Sequence, residues 1–129
     1  MENEIIKKEP GARFAFASFV VFVLELFGTA FLVYAVTMQA YTGNGIAVPL
    51  GLLCAIWISG PITGGHCNPA VTLAVFIIRW RDFCRNLYWL ALYTAAQFTG
   101  GIVGAWFALM STKPLDKKQD PSTIPVLAP

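Results

Sequence analysis

Charge is what this 129-residue sequence has least of: Asp, Glu, Lys and Arg make up 12% of it, where a soluble domain carries about 25%. With 57% hydrophobic residues beside that shortage, the chain reads as a membrane protein before any motif is considered. The formal net charge is only +2, and no basic stripe interleaved with aromatics occurs, so nucleic acid is not an expected partner. Histidine occurs once, at His66. The three cysteines, Cys54, Cys67 and Cys84, lie in or beside apolar segments without metal-ligand spacing, and their odd count there reads as free thiols. There is no Cys/His pair, no glycine-rich phosphate loop and no pair of carboxylates at a shared depth. Neither an enzyme nor a bound metal or cofactor is therefore expected. A cleavable signal is also lacking: the first apolar run is longer than an h-region of about 7–15 residues and should stay as an anchor.

What remains is a succession of apolar segments. Residues 1–13 are polar, with Lys7, Lys8 and Arg13 against Glu2, Glu4 and Glu9, and read as a tail. Segment one runs from Phe14 to Met38, 25 residues with Glu25 as its one charge, and is long enough to span with some tilt. Gly43-Asn44-Gly45 signals a turn. Segment two runs from Ile46 to Ser59, extended at most to Ile62, with Pro49 suited to a first turn. Segment three runs from Leu87 to Met110 without a charge. Residues 111–129 hold four prolines and five charges and read as an extracytoplasmic loop or tail, which leaves 14–110 as the membrane domain.

Lys and Arg counts orient the chain. With segment one entering from the cytoplasm, Lys7, Lys8, Arg13, Arg79, Arg81 and Arg85 fall inside, against Lys113, Lys117 and Lys118 outside. Six against three follows the positive-inside rule, and puts the N-terminus in the cytoplasm. Small residues recur every four positions in segment three (Ala96, Gly100, Gly104, Ala108) and segment two (Gly51, Ala55, Ser59). Such ridges let membrane helices approach closely, as in any packed bundle.

Between segments two and three lies a stretch unlike the rest, Ser59-Gly60-Pro61-Ile62-Thr63-Gly64-Gly65-His66-Cys67-Asn68-Pro69-Ala70-Val71-Thr72. Asn68 is a preferred N-cap, and Pro69 suits the first helical position because its missing N–H would have no intrahelical partner there. The apolar segment that follows, Ala70–Trp80, has only 11 residues, too few for a span of roughly 20. A short capped helix entered through a glycine-rich loop is a re-entrant element, tolerated at membrane depth only where protein or a water-filled cavity satisfies its backbone.

This run resembles the first signature loop of the aquaporin and aquaglyceroporin (major intrinsic protein) family. Glu25-x-x-Gly28-Thr29 in segment one and Ala96-Gln97-x-x-Gly100 in segment three match the family further, over about residues 13–110. The resemblance implies an all-α membrane fold of three transmembrane helices plus one re-entrant half-helix, equivalent to one repeat of a channel built from two inverted repeats. It also implies passive passage of water or small neutral solutes such as glycerol, and a homotetramer in a plasma or internal membrane.

In that reading Asn68, Pro69 and Ala70 face the pore. Asn68 would donate its amide N–H to a passing water or hydroxyl, and the half-helix would end its positive dipole, roughly +0.5 charge, at the same place. The backbone carbonyls of Gly64, Gly65, His66 and Cys67 would form a row of acceptors, with glycine permitting the unusual backbone. His66 is conceivable as a pH gate or metal ligand, but one histidine is more often a structural hydrogen-bonding group. The Cys67 thiol either lines the pore or packs against protein. Val48, 20 residues before Asn68, falls where many water-selective members place an aromatic, and its small side chain would leave the filter wide. An ionisable residue within a membrane segment marks a pathway or a buried partner. Glu25 is read as a structural carboxylate accepting hydrogen bonds from the loop, and Gln97 as doing the same work from segment three.

The sequence lacks a second Asn-Pro-Ala and the arginine that follows it in the family. It is therefore expected to be a fragment of a two-repeat channel. Pairing with an inverted copy and a non-conducting subunit that regulates a full-length relative remain open, as does a small proton-coupled transporter using Glu25.

Overall fold

The structure, a computed structural model, describes residues 11–43 and 45–116. Residues 1–10 of the expected N-terminal tail, Asn44 of the expected turn and residues 117–129 of the expected C-terminal tail lie outside them. Helix α1 spans Ala12–Thr42, α2 Ala47–Thr63, α3 Pro69–Ile78 and α4 Phe83–Asp116, with a 3-10 turn at Trp80–Asp82 before α4. The described residues contain no strand.

Several boundaries differ from the hydropathy reading. Helix α1 continues past Met38 to Thr42, where Gly43 turns left-handed (φ 69) and donates its N–H to the Gln39 carbonyl. Helix α2 passes through Pro61 and stops at Thr63, where left-handed Gly64 donates to the Gly60 carbonyl at 2.9 Å. The half-helix ends at Ile78, two residues before Trp80. Helix α4 begins at Phe83 rather than Leu87 and continues to Asp116 rather than Met110, so residues 111–116 are helical. The Ser111 and Thr112 hydroxyls fold back onto the Phe107 and Ala108 carbonyls at 2.9 and 3.1 Å. A helix ends where its backbone hydrogen bonding ends, which is not where its side chains turn polar.

Helix α1 packs against both α2 and α4, and α3 lies on α4. The contacts are made by small residues. A Cβ at Gly100 would overlap the Leu26 carbonyl oxygen, and one at Gly104 would overlap that of Ala30. On α2, Gly51, Ala55, Ser59 and Thr63 form the buried face. A Cβ at Gly51 would come to 2.7 Å from that of Ala35. The interior is small or polar (Ala30, Ala55, Ala96, Ala108; Ser18, Glu25, Thr63, Gln97), while Phe16, Phe27, Trp57, Ile78, Ile102 and Trp106 stand outward. Water would not tolerate so continuous an apolar exterior, whereas lipid would. Among the described residues, one helix, over Arg13–Thr42, is both long enough and apolar enough to cross a membrane. Helices α2 and α3 are apolar but shorter. Helix α4 is longer, but Tyr88, Trp89, Tyr93, Thr94, Gln97 and Thr99 dilute its apolarity.

Candidate functional site, a capped half-helix and its loop

The end of α2, the loop 64–68 and the start of α3 close on a single carboxylate. Glu25, in mid-α1, has no solvent exposure. Its Oε1 accepts from the Thr63 hydroxyl at 2.7 Å and the His66 N–H at 3.1 Å. Its Oε2 accepts from the Cys67 N–H at 2.8 Å and Gln97 Nε2 at 2.9 Å. Four donors on two oxygens is what a carboxylate requires away from water, since an unmet one is costly there. Because Gln97 must turn its nitrogen toward Glu25, its second N–H meets the Thr72 hydroxyl at 2.9 Å. Thr72 in turn reaches the Asn68 carbonyl at 3.1 Å and His66 Nδ1 at 3.2 Å. One network thus joins α1, α2, the loop, α3 and α4.

The loop backbone is what this network holds. Gly64 and Gly65 have φ of 91° and 62°, and Cys67 has φ 44°. A left-handed residue other than glycine is uncommon and persists where its surroundings fix it. At Gly65 an added Cβ would come to 3.2 Å from Ile56 Cα and 3.3 Å from Gly60 Cα, so the loop lies tight on α2.

The left-handed turn at Cys67 also decides where its side chain goes. The thiol is 3% exposed, 4.0 Å from Ser59 Oγ, and fills the space that a Cβ at Gly28 would enter at 2.6 Å. Of the two placements open for Cys67, packing against protein is the one found. Cys54 and Cys84 are exposed.

Asn68 is extended (φ −157°) and caps α3, its Oδ1 accepting from the Ala70 N–H at 2.8 Å, with Pro69 at the first helical position. Asn68 and Ala70 are exposed, as is Gly64, whereas Gly65 is buried. Because the cap occupies Oδ1, the amide nitrogen points away from the helix. Among the described residues no acceptor meets it. Helix α3, with 10 residues, is about 15 Å long, too short to cross a hydrocarbon core of about 30 Å. His66 is half-buried, its ring 4.7 Å from that of Tyr93. Val48 stands apart from this group. It lies on the first turn of α2, its N–H on Gln39 Oε1 at 3.1 Å, about 22 Å along the helix from Thr63.

Three members of the network were not singled out from the sequence: Thr63, Thr72 and Tyr93. Tyr93 is buried and donates its hydroxyl to the Thr63 carbonyl at 2.6 Å. The two threonines sit inside the motif itself, and the signal available was their hydroxyl in an otherwise apolar surrounding. Tyr93 gave no such signal, because an aromatic in an apolar segment reads as packing.

The sequence profile of the family described as "Major intrinsic protein" matches residues 14–126. Aquaglyceroporin-2 of Rhizophagus irregularis is 36% identical over 102 residues, 76% of this chain and 30% of that protein. Aquaporin-9 of Homo sapiens is 29% identical over 112 residues, 81% of this chain and 36% of that protein. Aquaporin-7-2 of Laccaria bicolor is 41% identical over 56 residues, 43% of this chain and 16% of that protein. The chain thus spans about a third or less of the length of these relatives. No solved structure matches. On the profile match, which covers most of its 129 residues, the chain belongs to the major intrinsic protein family.

Proposed function

We propose that this chain forms one repeat of a passive membrane channel for water or small neutral solutes such as glycerol. Helices α1, α2 and α4 are then the three spans, and α3 is the re-entrant half-helix, entering from the cytoplasmic side on which the N-terminus also lies. A second repeat of inverted orientation completes the conduit, in a homotetramer embedded in the bilayer.

The observation that carries this reading is the Asn68 cap. Its oxygen is spent on the Ala70 N–H, so its nitrogen is fixed as an outward donor at the positive end of α3. A donor beside a positive end suits a neutral molecule that can accept a hydrogen bond, and disfavours cations and protons. Beside it, exposed Gly64 and half-buried His66 support a row of backbone acceptors. The whole arrangement binds and orients without a covalent step.

Glu25 bears on the proton-coupled alternative. Both its oxygens are engaged by donors from the loop, α2 and α4. That favours a structural carboxylate over a proton relay. Stopped-flow light scattering of proteoliposomes carrying the channel should show osmotic swelling that is indifferent to an imposed proton gradient. Swelling that requires the gradient would overturn the passive reading.

A further inference from the structure

We propose that Tyr93 is a positioning residue of the loop, pinning the end of α2 and the His66 ring so that Gly64, His66 and Asn68 keep their places along the solute path. The loop needs two kinds of restraint. Its amide side, the N–H groups of His66 and Cys67, is held by Glu25. Its carbonyl side begins at Thr63, one of the last α2 carbonyls, which have no partner within their own helix. Glu25 offers only acceptors and cannot serve it. Tyr93 does, with a hydroxyl 2.6 Å from the Thr63 oxygen.

The same side chain reaches one residue type further. Its ring lies 4.7 Å from the His66 imidazole at 38°, and the other side of that imidazole is tied through Nδ1 to Thr72 at 3.2 Å. Tyr93 stands four residues before Gln97, so both point from one face of α4 toward the loop. Gln97 reaches Glu25 and Thr72, and Tyr93 reaches Thr63 and His66. Helix α4 therefore grips the loop at two heights, one turn apart. The lower grip acts on the helix start at α3, and the upper one acts on the turn between Thr63 and Cys67, where Gly64, Gly65 and Cys67 all have positive φ. A backbone of that kind persists only where its surroundings hold it, so loss of the Thr63 bond should be felt there first.

The positioning half of this proposal stands on the contacts alone, while its effect on solutes rests on the channel reading. Hydrogen–deuterium exchange of the full chain in lipid nanodiscs separates them. In Tyr93→Phe, which keeps the ring and removes the hydroxyl, amides 64–67 should exchange about five- to tenfold faster, as expected for one lost buried hydrogen bond. Amides 26–30 and 100–104, at the α1–α4 contact, should keep their rates. Tyr93→Leu, which also removes the ring, should loosen the loop further. Unchanged loop exchange in both variants would overturn the proposal, as would a uniform rise across all helices, the mark of a packing residue. In parallel, the ratio of glycerol to water permeability of the channel should shift in Tyr93→Phe. A ratio equal to that of the unsubstituted protein, with a loosened loop, would overturn the solute half. A loosened loop in a protein that passes neither solute before substitution would uphold the positioning half and sink the channel reading.

Discussion

The two sides of the loop 64–68 differ more than any two helices of the molecule do. On the inner side, Glu25, Gln97, Thr63 and Thr72 are buried, and the Glu25 carboxylate alone takes four hydrogen bonds. On the outer side, Gly64, Asn68 and Ala70 are exposed, and the Asn68 nitrogen points outward. Five residues of backbone carry both. The inner side spends its polar groups on structure so that the outer side has groups left for something else. Changes on the inner side should accordingly cost stability, and a well-chosen change on the outer side should cost function alone.

The largest effect is expected at Glu25. Glu25→Ala strands the His66 and Cys67 N–H groups and takes one partner each from the Thr63 hydroxyl, which keeps the Ser59 carbonyl, and from Gln97 Nε2, which keeps Thr72. At about 1–3 kcal/mol for each unmet buried group, the loss should reach about 4 kcal/mol. Thermal unfolding in detergent should show it as a large fall in midpoint, and Glu25→Gln, which keeps one acceptor, should fall less. A smaller loss belongs to the helix contact that supports the network. Gly104→Leu drives a side chain into the Ala30 carbonyl and should cost about 1–3 kcal/mol by overpacking, read in the same assay.

Smaller still is the cap. Asn68→Ala removes the acceptor of the Ala70 N–H and should cost about 1 kcal/mol, a fall in midpoint well short of that for Glu25→Ala. The smallest effect is a difference in reactivity without any loss of stability. A thiol reagent of modest size should modify exposed Cys84 and leave buried Cys67 untouched until the protein is denatured, as mass spectrometry of peptides would report. Rapid labelling of Cys67 in the folded protein would place its side chain on the outer side and break the contrast.

The half of this contrast that sequence made legible is the half written in local chemistry. Asn68 followed by Pro69 favours a helix start, and the structure has the start there. Glu25 and Gln97 were readable as polar residues in apolar surroundings, because such groups need partners. The direction of the Cys67 side chain was not readable. It depends on one φ of 44°, which arises from the Glu25 contacts across 42 residues of chain. Tyr93 was missed for a related reason: its partner, the Thr63 carbonyl, is a backbone group that every residue possesses. Helix ends were misjudged at Met38, Leu87 and Met110 because hydropathy reports where lipid ends, whereas backbone hydrogen bonds run past it. Long-range pairing and backbone termini carry no residue-level signature.

The outer side is tested most directly by Asn68→Asp. Aspartate caps a helix as well as asparagine does and suits its positive end, so the inner network and the melting midpoint should be retained. The outward amide donor, however, becomes a carboxylate oxygen in the proposed solute path. Osmotic water permeability of proteoliposomes carrying the channel should fall at least about tenfold, the equivalent of 1.4 kcal/mol in barrier height, with the melting midpoint unchanged. Permeability equal to that of the unsubstituted protein would contradict the account and reduce Asn68 to a helix cap.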